Sequence, residues 1–521
     1  MNKGKICISV CAETVDEMLE QTRRAEDLVD FVELRFDCLK ENEFYSALEK
    51  ISCNENYIFT LRSKKQGGKR ELSLKERAEF WNSGYDFCGG DFEEDVVENA
   101  FYWFYKPVIC SYHDFEGVPD NLFEIYERLK ATEVDIIKIA VQADDITDTI
   151  AVWKLLKKSM SEKEILKSDK TKKKINFLSV NKLGLPIYQP NSVQEIIPIA
   201  MGEAGKWMRI LGLAHGAFMT YASLDAGKET ASGQIGAQDL IETYRVKELD
   251  EQTEIYGIVG NPVAQSLSPF MHNAAFKFYN LNAVYIPFEV KNLDAFIGKF
   301  LEESGLDIKG FSVTIPHKQA IIEHLDFIDE TTKAIGAVNT VKIVGGKLHG
   351  YNTDADGFIA PLRNAYGDLK NVKVAVLGNG GAARACIYAL KRENADVTIF
   401  ARDLAKAEIL ANEFEIELKE LTNADFDDFE IVVNATALGM KGFLENETPA
   451  VAEQIRRVKL VYDLVYNPFE TRFLKEAKSV FVPTIGGMAM LVAQAVKQFE
   501  IWTGKDAPMK EMSATVLKRL G

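Results

Sequence analysis

Through the first 240 residues, short apolar runs recur roughly once every 25 residues, each the length of one strand and most followed by an amphipathic helical stretch. The runs are Ile6–Val10, Phe31–Leu34, Tyr57–Leu61, Tyr85–Cys88, Pro107–Tyr112, Val134–Ala140, Ile196–Met201 and Phe218–Ala222, with Thr14–Leu28 and Asn121–Lys130 among the helical stretches. Such alternation leaves few topologies, because each strand runs parallel to the one before and each helix must cover the sheet. Eight repeats predict an α/β fold of the (β/α)8 TIM-barrel type over residues 1–245. One interval is out of step: between Ala140 and Ile196 a lysine-rich segment, Ser159–Lys174, precedes a Pro- and Asn-containing stretch, predicting an insertion over residues 157–194.

The acidic stretch Val246–Glu254 reads as a joint, since Ile255–Val259 at once opens a new βα pattern. Beyond it we expect an α/β substrate domain over residues 252–357 and a Rossmann-type cofactor domain over 358–487. The closing helices, 488–521, are expected to pack back on the substrate domain. The cofactor domain announces itself where Val372–Leu377 runs into Gly378-Asn379-Gly380-Gly381-Ala382-Ala383, a strand, a glycine turn and a helix.

Acidic residues outnumber Lys and Arg by 78 to 62, a net charge of −16 that opposes generic binding to nucleic acid or an anionic membrane. Neither is expected as a partner, and anionic substrates must be caught by local basic residues. No apolar stretch has the ~20 residues of a membrane span. The start, Met1-Asn2-Lys3-Gly4, lacks a signal-peptide cleavage pattern, so the expected location is cytoplasmic. Seven cysteines show no CxxC pair and no histidine at metal-ligand spacing; we expect reduced thiols and no metal.

In Phe31-Val32-Glu33-Leu34-Arg35-Phe36-Asp37, alternation puts Glu33, Arg35 and Asp37 on one face. Charge inside a barrel strand needs a ligand, or else forms a self-satisfied ion-pair cluster. Arg62 closes the next strand, His113 ends Val108–Tyr112 and Lys138 interrupts Val134–Ala140. Separately, the lysine reads as a snorkelling side chain and the histidine as structural. Together, at the C-terminal strand ends that form a barrel's mouth, they suit a different chemistry. A desolvated amine attacks a ketone, the iminium is an electron sink, and an imidazole removes the adjacent proton and returns one to a leaving hydroxyl.

In order along the chain, Glu33-Leu34-Arg35-Phe36-Asp37, Thr60-Leu61-Arg62-Ser63, Ser111-Tyr112-His113-Asp114-Phe115, Lys138-Ile139-Ala140 and Gly233-Gln234 resemble type I 3-dehydroquinate dehydratase across about residues 5–245. The resemblance implies that Lys138 is the Schiff-base lysine and His113 the proton shuttle. It also implies that Glu33, Arg35, Arg62, Arg209, Thr230 and Gln234 hold the hydroxyls and carboxylate of 3-dehydroquinate. Two departures stand out. Gln66 replaces a glutamate usual before Gly67-Gly68, so imidazolium formation at His113 is less favoured and a slower dehydratase is expected. Thr230 replaces serine and keeps the hydroxyl.

In the second half, Gly260-Asn261-Pro262-Val263-Ala264-Gln265-Ser266-Leu267-Ser268-Pro269 places two hydroxyls near a helix start. Ser268 there is either an N-cap before Pro269 or a carboxylate ligand. Phe311-Ser312-Val313-Thr314-Ile315-Pro316-His317-Lys318, Gly336-Ala337-Val338-Asn339-Thr340 and Gly350-Tyr351-Asn352-Thr353-Asp354 put polar groups at strand ends, where turns and surface ion pairs are the simpler reading. Jointly they resemble shikimate dehydrogenase across about residues 254–520. The resemblance implies Ser266 and Ser268 for the carboxylate of 3-dehydroshikimate, Thr314, Asn339, Tyr466 and Gln494 as further substrate contacts, and Lys318 with Asp354 as the catalytic pair. Ser312 stands where an asparagine is common. For the cofactor, NADP(H), the implied residues are Gly378, Gly380, Gly381, Ala382 and Ala383 in the fingerprint, Arg402 and Lys406 at the 2′-phosphate, and Asn434, Ala435, Thr436, Met440, Gly487 and Met490 toward the nicotinamide. Asp403 weakens a strict NADP preference.

The product of the first reaction is the substrate of the second, so the reading is a bifunctional enzyme that makes shikimate. Two rivals stay open: a regulatory or sensor homologue that kept the folds without the chemistry, and an NAD-dependent quinate or shikimate oxidiser.

Overall fold

The computed structural model describes residues 2–520 except 84, 86, 98, 100–106, 133, 169–178, 181–185, 188–193 and 423. The chain divides into two compact units, one of residues 1–253 with 286–307 and one of residues 254–285 with 308–521.

In the first unit, strands β1 (Lys5–Val10), β2 (Phe31–Arg35), β3 (Tyr57–Thr60), β4 (Gly89–Glu93), β5 (Val108–Asp114), β6 (Ile136–Gln142), β7 (Glu195–Met201) and β8 (Met219–Ser223) form a curled, wholly parallel sheet. Its order is β8-β1-β2-β3-β4-β5-β6-β7, with the two-residue strand Ile235–Gly236 parallel to β8 at its outer edge, and the backbone N–H of Phe218 donates to Ile196 O at 2.9 Å, bringing the ends together. Strands and helices fall where the periodicity predicts, with one exception: the fourth strand is Gly89–Glu93, not Tyr85–Cys88. Phe87 is apolar for another reason, since it packs outside the sheet on Phe59, Phe80 and Trp81. Of the expected insertion, the residues to Ser168 complete a helix, Thr149–Ser168, and Ser179–Val180 pairs antiparallel with Pro186–Ile187; the remainder lies outside the described residues.

Period-two alternation builds the barrel interior in layers. Cys7, Phe31, Ile58, Gly89, Ile109, Ile136, Ile197 and Met219 supply a mostly apolar floor. Two residues further along each strand come Ser9, Glu33, Thr60, Asp91, Ser111, Lys138, Ile199 and Tyr221, and the lining turns polar. One step toward the C-terminal ends therefore converts a packed core into a site.

The cysteine expectation is corrected at four positions: Cys11 is bonded to Cys38 and Cys53 to Cys88. Each pair spans about one βα repeat, so the members flank neighbouring strands, and their Cα atoms lie 5.4 and 5.5 Å apart, within bridging range. Cys7, Cys110 and Cys386 are buried free thiols.

In the second unit, Glu254–Gly260, Ile308–Val313, Thr340–Val344 and Lys347–Tyr351 belong to a mixed sheet, and the helix Met488–Thr503 lays Val492, Ala495, Val496, Phe499 and Trp502 against its Tyr256 and Ile258. A separate sheet of Lys373–Leu377, Asp396–Ala401, Glu417–Glu420, Ile431–Asn434, Leu460–Asp463 and Thr484–Ile485 is all parallel. Its order, counting those strands 1 to 6 along the chain, is 3-2-1-4-5-6. That order puts the crevice of a dinucleotide fold between the first strand and the fourth.

Candidate active sites

The barrel mouth holds a cavity of about 480 Å³, counting its open side. Its lining includes Glu33, Arg35, Arg62, His113, Lys138, Arg209, Thr230 and Gln234, all eight residues expected there, with Gln66 and Tyr221. Lys138 is buried and faces inward, which removes the snorkelling alternative. Its Nζ donates to Asp91 Oδ2 at 2.8 Å and to Glu33 Oε1 at 3.4 Å, and lies 4.0 Å from the centre of the Tyr221 ring. Arg62 Nη2 donates to the same Asp91 oxygen at 2.6 Å. Burial pushes the Glu33 and Asp91 carboxyls up, but the surrounding cations outweigh it and hold both below the ordinary carboxylate range.

Arg35 is satisfied by Asp37, with two contacts of 2.8 Å. Arg209 differs. Its guanidinium is buried, Nε has no partner among the described residues, and its other contacts are the carbonyls of Tyr221 (3.4 Å) and Ser232 (3.3 Å). Among the described residues no carboxylate pairs with it, and burial pulls its pKa down to about 10, which still leaves it charged near neutrality. A buried, unneutralised cation at a cavity wall is a seat for an anion.

Gln66 Oε1 accepts from the His113 backbone N–H at 2.8 Å and faces ring Nδ1 at 3.3 Å. The backbone donor requires the amide oxygen on that side, so Nδ1 carries the hydrogen and Nε2 keeps its lone pair. Gly67, at φ +85°, leaves room for the Phe115 ring, which a Cβ there would strike. Burial, then the Arg62 and Lys138 cations, hold the imidazole well below its ordinary pKa. A carboxylate at position 66 would raise it, so Gln66→Glu is expected to move the acid limb of dehydratase kcat/KM upward by about one pH unit and to raise the plateau severalfold. A pH–rate series on the two proteins measures both; superimposable profiles would remove the role given to the amide.

In the second unit, Lys318 Nζ donates to Asp354 Oδ2 at 2.5 Å, while Asn339 Nδ2 donates to Asp354 Oδ1 at 2.8 Å, to Thr353 Oγ1 at 2.9 Å and to Gln494 Oε1 at 3.4 Å. The pair is buried enough to act as a unit rather than as a surface bridge. Ser268 is the first residue of its helix, behind Leu267, and no side chain caps that end. The capping alternative for Ser268 is therefore corrected, while Ser266 Oγ accepts from the Ser268 N–H at the helix start at 3.2 Å. Thr314 and Tyr466 are half-buried. Ser312 joins a buried chain in which Tyr285 OH donates to Ser312 Oγ at 2.7 Å and Ser312 Oγ donates to Gln498 Oε1 at 2.9 Å.

At the switch point of the parallel sheet, Gly378 has φ +111° and Gly380 begins the helix Gly381–Arg392 without a side-chain cap, leaving its first N–H groups for a phosphate. A Cβ on Gly380 would meet nothing, whereas one on Gly381 would come within 3.3 Å of Lys318 Cδ, so the glycine lets this helix start beside the lysine. Ala382 is half-buried, and Ala383 packs into the core, the usual task of the third small residue. Arg402 and Lys406 are exposed beyond the strand Asp396–Ala401. Asp403 Oδ1 accepts from Lys406 N at 3.0 Å and so caps the next helix. Asn434 Oδ1 accepts from Thr436 N and Oγ1, with Ala435 between them; Met440 is exposed, Gly487 precedes the closing helix, and Met490 lies in the core.

Four residues with these contacts are not singled out by the sequence pattern, Tyr285 among them, in a strand that no motif marks. Asp91 lies on the strand that the apolar runs misplace. Tyr221 sits in an ordinary apolar run, and Gln498 repeats the helical spacing of Gln494, a signal that could have found it.

Residues 6–167 and 187–251 match the type I 3-dehydroquinase family, and residues 258–341 the shikimate dehydrogenase substrate binding domain. Residues 362–468 match the shikimate/quinate 5-dehydrogenase family and 487–517 the shikimate 5′-dehydrogenase C-terminal domain. A chloroplastic bifunctional 3-dehydroquinate dehydratase/shikimate dehydrogenase of Arabidopsis thaliana is 33% identical over 99% of this chain and 85% of its own length. An NADP(+) shikimate dehydrogenase of Methanococcus maripaludis is 41% identical over 52% of this chain and 99% of its own. A solved shikimate dehydrogenase in complex with NADP+ superposes with a TM-score of 0.50 at 39% identity, over 52% of this chain and 98% of that one. With both halves matched in order and nearly the full length aligned to one relative, the chain belongs to the bifunctional 3-dehydroquinate dehydratase/shikimate dehydrogenases.

Proposed function

We propose that the barrel dehydrates 3-dehydroquinate through a Schiff base on Lys138, and that the second unit reduces the resulting 3-dehydroshikimate to shikimate with NADPH, using Lys318 and Asp354. The observation that carries the reading is the barrel's charge pattern: an inward lysine, a neutral imidazole with Nε2 available, and one buried guanidinium that pairs with no acid among the described residues. A small keto acid supplies what is missing, its carboxylate for Arg209 and its ketone for Lys138. Glu33, Arg35, Arg62, Thr230 and Gln234 line the same cavity and suit its hydroxyls.

In atoms, the Lys138 ammonium and the ketone give a protonated imine and water. His113 Nε2 takes the proton alpha to that carbon, leaving an enamine. The imidazolium then protonates the departing hydroxyl, which leaves as water and regenerates a conjugated imine; a second water releases the enone and restores the ammonium. In the second unit the bound cofactor supplies a hydride. Lys318 holds the ketone oxygen and gives it a proton, while Asp354, fixed by Asn339, keeps the ammonium aimed. Ser266 and Ser268 are assigned to the carboxylate, with Thr314, Tyr466 and Gln494 as further contacts. The net charge of −16 supports small-molecule partners and no nucleic acid. Among the described residues no helix is long and apolar enough to cross a membrane.

Arg402, exposed at the end of its strand, is assigned with Lys406 to the cofactor's 2′-phosphate, and Asp403 is occupied as a cap. Arg402→Ala is expected to raise the NADPH KM about tenfold and leave the NADH KM unchanged; equal rises for both would move the 2′-phosphate elsewhere.

One mixture tests the whole reading. With 3-dehydroquinate and NADPH, the protein should consume NADPH and form shikimate, whereas quinate or shikimate with NAD+ should react far more slowly. Faster oxidation with NAD+ would favour the quinate or shikimate oxidiser, and no turnover of either keto acid would favour the sensor.

A further inference from the structure

The charges around Lys138 can be counted. In the polar layer and just above it, Glu33 and Asp91 face Lys138 and Arg62, with contacts of 2.8 and 3.4 Å from Lys138 and 2.6 and 4.0 Å from Arg62. All four side chains are buried, and the neighbouring charges are paired elsewhere: Arg35 with Asp37, and Arg77 with Glu93 and Asp95. Two acids thus meet two cations in a place where an unmatched charge is expensive.

Asp91 is the shared member. Its Oδ2 binds both cations, and its Oδ1 is buried with no partner among the described residues. Glu33 is anchored more fully, with Ser9 and Thr60 donating to it, and its contact with Lys138 is the longer one. The Tyr221 ring covers the ammonium from a third side. Asp91, Glu33 and the Tyr221 ring thus face this nitrogen with negative charge or a π face, against the one cation, Arg62, that shares Asp91 with it.

From this we infer that Asp91 is a positioning residue of the dehydratase, the counter-ion that holds the Lys138 nitrogen in place and carries its positive charge from ammonium to imine. The inference rests on the Schiff-base reading. In the overall condensation an ammonium becomes a protonated imine and the ketone oxygen leaves as water, so the nitrogen is cationic at both ends. The four-charge cluster balances before and after. The uncharged carbinolamine between them has given up one proton, which His113 Nε2 can take and return to the departing hydroxyl so that it leaves as water; meanwhile the two acids face one cation, and the cluster favours passage onward to the protonated imine. Asp91 touches no substrate in this scheme; it acts through Lys138.

Asp91→Asn nearly preserves shape and removes the charge. The full-length protein, saturated with 3-dehydroquinate and treated with borohydride, reports the fraction of chains reduced at Lys138 by peptide mass. The fraction trapped is expected to fall at least about fivefold and dehydratase kcat at least about tenfold, while KM moves less than about threefold. Asp91→Glu should recover most of the trapping. A trapped fraction and kcat within twofold of the parent would overturn the inference. So would an Asp91→Asn protein whose only change is a raised KM and a lower melting temperature that Asp91→Glu does not repair, since that pattern belongs to a residue that merely supports the barrel. If the parent itself yields no reduced adduct at Lys138, the Schiff-base reading fails and takes the counter-ion with it; a trapped parent beside an unchanged variant sinks the counter-ion alone.

Discussion

Lys138→Ala is expected to lower dehydration of 3-dehydroquinate by at least about 10⁴-fold and to leave reduction of 3-dehydroshikimate within twofold of the parent. The size follows from losing the atom that becomes covalently joined to substrate: without it no electron sink forms, and the alpha proton keeps the acidity of a simple ketone. The substitution also leaves Asp91 and Glu33 facing Arg62 alone, so this half should lose heat stability as well. Loss of activity by itself would then be ambiguous. The discriminating pair of measurements is 3-dehydroquinate binding, which Arg209, Arg35 and Gln234 should still support, and borohydride labelling, which should vanish. A variant that still dehydrates at a tenth of the parental rate would mean that a general base alone suffices, and the covalent scheme would be abandoned.

How much of this could be read from the chain depended on whether a residue's partner lay along its own strand or across from it. Glu33, Arg35, His113 and Lys138 announced themselves because each interrupts an otherwise apolar strand. The strand carrying Asp91 did not. Gly89-Gly90-Asp91-Phe92-Glu93 has one large apolar residue, Phe92, which faces the outer Trp81 at 4.0 Å between ring centres, while its inward positions are Gly89, Asp91 and Glu93. A search for apolar runs slides onto Tyr85–Cys88 instead. The floor and upper layer of the other seven strands would have located the register, but only after the barrel had been closed in three dimensions. The cysteine pairs escaped for the same reason, because Cys11 and Cys38 become neighbours only when β1 and β2 do. In the second unit the fingerprint turn and the Lys318 and Asp354 motifs were legible, since each is a local strand–turn–helix pattern. The Tyr285–Ser312–Gln498 chain was not, being assembled from three distant elements.

Lys318→Ala should give the mirror image: 3-dehydroshikimate reduction falls by about 10³-fold, dehydration is unchanged, and 3-dehydroquinate is converted to an enone that accumulates and can be followed by its absorbance. The expected loss is that of a positioned acid together with the cation that stabilises a developing alkoxide. NADPH affinity should stay within about twofold, because Lys318 is not among the residues assigned to the cofactor and the first N–H groups of the helix Gly381–Arg392 belong to the backbone. Titration of cofactor fluorescence separates this from a collapsed site, in which binding and reduction would fall together. Asp354 would remain held by Asn339 on one oxygen and be without Lys318 on the other, so Asp354→Asn in the parent should cost less than Lys318→Ala, having removed the aim of the ammonium but not the ammonium itself. Mixing equal amounts of the Lys138→Ala and Lys318→Ala proteins should restore conversion of 3-dehydroquinate to shikimate after a lag, since each supplies the half the other lacks and the enone crosses through solution. A mixture that forms enone but no shikimate would show that Lys138→Ala had damaged the second unit too, and the independence of the two sites would have to be given up.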